Sequence, residues 1–154
     1  MELLTPDLRA VLLANAAAHA TGVAAHDPAP VLKLFNPLGP ATWLATELDA
    51  DGDTLFGLAD LGFGCPELGY FSLSEIAALR LPFGLGIERD LGFSSAVPLS
   101  IWADTARRAG SILGAAPLLR PIQGAHRAHA RSAELPGGPA APDPDPLPPS
   151  DDGG

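Results

Sequence analysis

The 154-residue chain has little of what most familiar chemistries require. It holds one cysteine, Cys65, so no internal disulfide can form and the fold does not depend on an oxidising compartment. There is no Cys-x-x-Cys or His-x-x-x-His spacing to start a zinc site. Basic residues are scarce: nine Lys and Arg stand against 18 Asp and Glu, a formal net charge of −9. A surface of that sign repels nucleic acid and phosphate-rich membranes at long range, which argues against direct DNA or RNA binding by the core. No apolar run approaches the roughly 18 residues needed to span a bilayer. The start, Met-Glu-Leu-Leu-Thr-Pro-Asp, carries acid where a secretory signal needs base, so the expected location is the cytoplasm.

What is present is unevenly distributed. With 47% hydrophobic and 18% charged residues the average is globular. From Ala116 onward, however, 39 residues hold nine of the 17 prolines. That composition buries too little apolar surface to offset its ordering entropy. The expected division is one domain over residues 1–114 and a Pro/Gly-rich disordered tail over 115–154. The only basic run, Arg120 to Arg131, falls in this tail and reads as a solvated linker. In the domain the charge is lopsided: between Asp27 and Glu75 a single base, Lys33, faces eight acids.

Local signals give an order of elements. Thr5-Pro6-Asp7 is a helix start, with a cap, a proline at the first position and an acid at the positive end of the dipole. Leu8, Val11, Leu12 and Ala16 recur at helical spacing, predicting a helix over Pro6 to Ala20. Val31 to Asn36 and Ala41 to Asp49 predict two strands joined by the turn Pro37-Leu38-Gly39-Pro40. In the second, strict alternation puts Ala41, Trp43, Ala45 and Glu47 on one face. Thr54 to Leu61 and Glu67 to Phe71 predict two more strands. Ser72-Leu73-Ser74-Glu75 is a capping box, with Phe71 and Ile76 placed as a hydrophobic staple. Its helix must end by Leu81, because Pro82 disfavours helical geometry before it. Ile87 to Phe93 predicts a fifth strand, with Arg89 on its apolar side, and Leu99 to Ala109 a last helix. The fold class is α+β: an antiparallel-rich sheet of four or five short strands with three packed helices.

Each candidate chemistry has a plainer competitor. Asp49, Asp51 and Asp53 alternate as in a calcium loop, with Asp60 at the twelfth position. Yet Thr54 stands where such a loop needs glycine, and Asp replaces the closing Glu, so an acidic hairpin tip is the better reading. Cys65 would need a histidine base, and nothing places His19 or His26 beside it; a buried or half-buried small hydrophobe is expected. Gly62-x-Gly64 and Gly84-x-Gly86 lack the continuation of a phosphate cradle and read as turns. One polar constellation remains: Glu47, Glu67, Tyr70, Glu88, Arg89 and Asp90. An unpaired guanidinium on an apolar face is costly, so Arg89 is expected to pair with Glu47 or Glu67. That pair would be a structural tie, a carboxylate-based polar site or part of an interaction surface.

Four segments carry a resemblance. Lys33-Leu34-Phe35-Asn36-Pro37, Ala41-Thr42-Trp43-Leu44-Ala45-Thr46-Glu47, Cys65-Pro66-Glu67-Leu68-Gly69-Tyr70-Phe71-Ser72-Leu73-Ser74-Glu75 and Ile87-Glu88-Arg89-Asp90-Leu91 look like domain-of-unknown-function family 2958 (DUF2958). The resemblance covers about residues 3 to 110, departing at Leu85-Gly86-Ile87, where the family pattern has Leu-Pro-Ile. It implies an accessory role on a bacterial plasmid or other mobile element and carries no activity onto any residue. The reading names no cofactor, no metal and no catalytic residue. Its first function class is a non-enzymatic factor whose acidic face meets a basic protein; its second is a small hydrolase or transferase around Glu47, Glu67 and Arg89. A pocket of a few hundred Å³ lined by those groups favours the second, a flat or convex acidic face the first.

Overall fold

The computed structural model describes residues 2–22 and 25–122. Most of the Pro/Gly-rich segment and of the Arg120 to Arg131 run lies outside the described residues. Helix α1, Pro6–Ala20, begins as its sequence requires: the Thr5 hydroxyl accepts the Leu8 amide at 3.2 Å and Pro6 occupies the first turn. Four strands follow as a meander: β1 (Leu32–Phe35), β2 (Thr42–Leu48), β3 (Thr54–Asp60) and β4 (Glu67–Ser72). Then come α2 (Leu73–Ala78), a 3-10 turn at Pro82–Gly84, β5 (Glu88–Arg89), α3 (Leu99–Ala109) and α4 (residues 112–122). The sheet is antiparallel throughout with order β4-β3-β2-β1-β5, an α+β fold.

Both faces of the sheet are covered. One carries Leu34, Trp43, Ala45 and Leu55 against Leu12 of α1 and Ile76 of α2. The other carries Leu44 and Leu58 against Trp102, Ala103 and Ala106 of α3 and Ile112, Ala115 and Leu119 of α4. Strand β2, at the centre, is consequently buried along its whole length. The capping box holds, with Ser72 Oγ accepting the Glu75 amide at 3.2 Å while Ile76 is buried and Phe71 packs beside it.

Four expectations are corrected. The predicted strand Ile87 to Phe93 shrinks to Glu88–Arg89, because Asp90 turns the chain: its carbonyl accepts the Phe93 amide and its carboxylate the Gly92 amide. Val11 is exposed, since α1 packs through Leu8, Leu12 and Leu13 instead. Cys65 is exposed rather than buried, in the loop where Gly62 and Gly64 both take positive φ. The division at residue 114 falls inside α4, which Ser111 caps through the Gly114 amide at 2.8 Å and in which Ala115 and Leu119 are fully buried. Pro117 and Pro121 made this helix read as the start of the tail.

Candidate functional site

The geometry of the site starts from an irregularity in β2. Ala45 pairs with Gly57, but the next pair is Glu47 with Phe56, so a bulge at Thr46 inserts one residue. The alternation reverses there. Glu47 leaves the Trp43 and Ala45 face expected for it and joins the row of Phe56 and, across β3, Tyr70. Gly57 makes the close approach possible: a Cβ there would lie 1.8 Å from the Leu44 carbonyl oxygen.

Strand β1 ends opposite Ala45, leaving residues 46–48 without a strand on that side. The second half of α1 takes the place. Asn15 Nδ2 donates to the Thr46 carbonyl at 2.9 Å, and His19 Nδ1 lies 3.0 and 3.2 Å from the two oxygens of Glu47. Between α1 and the sheet a cleft of about 230 Å³ opens, with Glu47 and Asp49 beneath and Phe56 and Tyr70 along the strand side. The Phe56 and Tyr70 rings meet at 5.1 Å, tilted by 56°. Glu47 is 9% exposed, and His19 is the sole partner of its carboxylate among the described residues. His26 stacks on His19 at 5.6 Å, and its buried Nε2 has no hydrogen-bond partner among the described residues.

The sequence constellation is brought together only in part. Glu47 and Tyr70 meet at the cleft. Glu67, Ala59, Trp43, Leu34 and Arg89 form one row across the sheet, so Glu67 and Arg89 sit at opposite edges, four strand spacings or about 19 Å apart. Glu47, on β2 and beyond the bulge, is likewise remote from β5. The pairing expected of Arg89 with Glu47 or Glu67 is therefore corrected: Arg89 Nη1 donates to the Glu2 carbonyl at 3.1 Å. Asp90 pairs instead with Lys33 at 3.4 Å, fastening the end of β5 to β1. Glu88 pairs in register with Phe35 on the same edge.

Most other acids of the lopsided segment have internal duties. Asp51 accepts the Asp53 and Thr54 amides at 2.8 Å and the Thr54 hydroxyl at 2.6 Å. Asp53 accepts the Ser72 hydroxyl at 2.6 Å and the Ser74 amide at 2.7 Å, joining the hairpin tip to the start of α2. These hydrogen bonds, led by the Thr54 hydroxyl for Asp51 and the Ser72 hydroxyl for Asp53, hold both carboxyls below the ordinary carboxylate range. Asp27 caps α3, whose own N-cap is Pro98, through the Ser100 amide at 3.1 Å and the Ser100 hydroxyl. Asp60, 1% exposed, accepts the Gly62 and Ile112 amides, each at 2.9 Å, tying β3 to α4. Among the described residues no group of three or more His, Cys, Asp and Glu is placed to hold a metal ion, and no helix is long and apolar enough to cross a membrane.

Sequence reasoning missed His19, Asp49 and Phe56 as members of the site. The signal that could have found them is Gly57, since a glycine inside a strand marks a bulge or a close backbone approach. Fold and site together define a small domain with a sheet between two helical layers and an acidic, aromatic-walled cleft at the edge of α1. The chain belongs to the family of proteins of unknown function DUF2958, whose model matches residues 3–113. No curated protein and no solved structure matches it significantly.

Proposed function

We propose that this DUF2958 domain is a non-enzymatic protein-binding factor that receives a basic, extended segment of a partner protein along β4. The observation that carries this reading is the state of that strand. It is a sheet edge, and large side chains stand out along it and its approach: Phe63 is 82% exposed, Tyr70 72% and Leu61 56%. Soluble proteins normally blunt or cover such edges, and a strand added there gains main-chain hydrogen bonds. Aromatic anchors beside carboxylates suit a partner with Lys or Arg between apolar positions. Asp49, which lines the same cleft as Tyr70, supplies the carboxylate here, and Glu67 stands at the start of the edge strand.

The alternative, a hydrolase or transferase built on Glu47, Glu67 and Arg89, loses support because those three groups do not converge. The cleft beside Glu47 is smaller than the roughly 300–1,000 Å³ of sites for drug-sized ligands, and the larger cavity of about 380 Å³ beside Trp102 and Arg120 is lined by none of the three groups. The setting on a plasmid or other mobile element rests on the family resemblance.

The test is capture from a bacterial host with wild-type protein and with a Phe63→Ser/Tyr70→Ser variant, followed by binding of the purified partner. Support is a protein with a basic segment whose on-rate falls steeply with salt and whose affinity drops at least tenfold for the variant. A partner indifferent to both, or turnover of a small substrate, overturns the proposal.

A further inference from the structure

We infer that the cleft between α1 and strands β2 to β4 is a receptor for one arginine side chain. The inference deepens the reading above and rests on it for the source of that side chain. It starts from Glu47, a carboxylate on a side chain only 12% exposed with a single described partner, the His19 ring. A carboxylate offers about four acceptor sites. Both oxygens here share one ring nitrogen, so most of that capacity is unfilled.

A charge taken this far out of water is costly unless it is paired and hydrogen-bonded. The His19 ring meets Glu47 through Nδ1 alone and is itself 58% exposed, so it covers the carboxylate on one side only. Among the described residues no Lys or Arg lines the cleft, and Asp49 adds a second negative charge there. Among the described residues the Asp49 carboxylate is engaged only by the neighbouring Ala50 amide, at 2.7 Å. Arg9, also on α1, is held on the Gly52 carbonyl at 3.5 Å, on the hairpin tip.

The walls select among cations. Phe56 and Tyr70 present two aromatic rings beside the carboxylates, and Ala16 and Ala20 of α1 leave room opposite them. A planar guanidinium stacks on an aromatic face while its fork meets a carboxylate; an ammonium is a compact, more strongly hydrated point charge that does neither as well. About 230 Å³ accommodates one such side chain with its stem and is small for a metabolite. Tyr70 belongs both to the cleft and to the β4 edge, so a segment laid on that edge brings its side chains to the cleft mouth.

The experiment titrates the full chain with Nα-acetyl-arginine methylamide, following the ring signals of Tyr70, the only tyrosine, and the His19 imidazole by NMR. Saturable shifts at both in the millimolar range are expected, with the lysine counterpart several-fold weaker and the uncharged citrulline isostere at least tenfold weaker. Glu47→Gln should weaken the arginine probe at least tenfold. Asp49→Asn, at an exposed position that asks nothing of the fold beyond one turn hydrogen bond, should weaken it several-fold and serves if Glu47→Gln does not fold. Phe83→Ser, exposed and outside both the cleft and the β4 edge, should leave it unchanged. No saturable shift, equal binding of citrulline, or an unaltered Glu47→Gln titration in a folded variant overturns the inference. The probe needs no protein partner, so the two readings fail separately. A captured basic protein together with a silent probe sinks only the cleft receptor, and a saturating probe without any basic partner sinks only the docking role.

Discussion

The hairpin tip between β2 and β3 and the cleft floor beside it are both acidic, neighbours in sequence and in space, and opposite in physical character. In the tip, Asp51 answers two amides and a hydroxyl, and Asp53 ties Ser72 and Ser74 to the turn. On the cleft floor, Glu47 answers one imidazole. A count of charges along the chain merges the two, whereas a count of donors per carboxylate separates them. The first set of acids builds the fold. The second is charge that the fold leaves without full compensation, and only such charge is available to a ligand.

The strongest way to break the comparison is Gly57→Ala. Its Cβ would lie 1.8 Å from the Leu44 carbonyl and 2.8 Å from the Ala45 Cα, both backbone, so β2 and β3 must separate where the bulge delivers Glu47. The expected loss is about 3 kcal/mol or more, at or beyond the upper end of ordinary overpacking, read from the urea midpoint. A normal midpoint would show that the bulge is not set by this contact. Next is Asp60→Asn. Its two oxygens each take a different amide, Gly62 on one and Ile112 on the other. An amide side chain can serve only one, and the other N–H then faces an NH₂ group, at an expected cost of about 1.5–3 kcal/mol.

How much of this was legible in the sequence follows from how local each signal is. Thr5-Pro6-Asp7 and Ser72-Leu73-Ser74-Glu75 gave both helix starts because a cap is decided within four residues. Leu99 to Ala109 was legible because its apolar stripe faces one core and Arg107 and Arg108 sit at its negative end. The site was half legible. Glu47 and Tyr70 were singled out, but period-two reasoning put Glu47 on the wrong face, since one inserted residue reverses every side chain beyond it. His19 reaches Glu47 only because β1 stops short, and the length of a neighbouring strand is not written in the residues of either partner. Arg89 was on the expected face, opposite Leu34, yet its distance from Glu67 depends on strand order across the whole sheet.

Two smaller effects sharpen the character of the tip. Ser72→Ala removes the cap of α2 and a donor to Asp53 together, at an expected cost of about 0.5–2 kcal/mol in urea unfolding. The pH dependence has a definite sign. Asp51 and Asp53 hold folded-state values below the ordinary 3.8, so between the two values the unfolded chain binds more protons than the native one. Stability from the tip is then fully present above about pH 4 and is lost as pH falls through the depressed folded values. An Asp51→Asn/Asp53→Asn variant should show a shallower acid limb in a plot of stability against pH. An unchanged slope would mean that the tip hydrogen bonds contribute nothing across that window.

The smallest expected change in stability is the most informative. Glu47→Gln is the same carboxylate-to-amide exchange as Asp60→Asn, applied where the carboxylate has one donor instead of two amides. The Gln oxygen can still accept from His19 Nδ1–H, so no donor is orphaned, and the cost of holding a nearly buried charge disappears. The melting temperature should therefore hold or rise, while Asp60→Asn lowers it. Opposite signs from one chemical change would establish that the acids of this domain divide by the donors they answer. A loss at Glu47 as large as that at Asp60 would mean that the His19–Glu47 pair is a fold-building tie like the others, and that the cleft holds no charge in reserve.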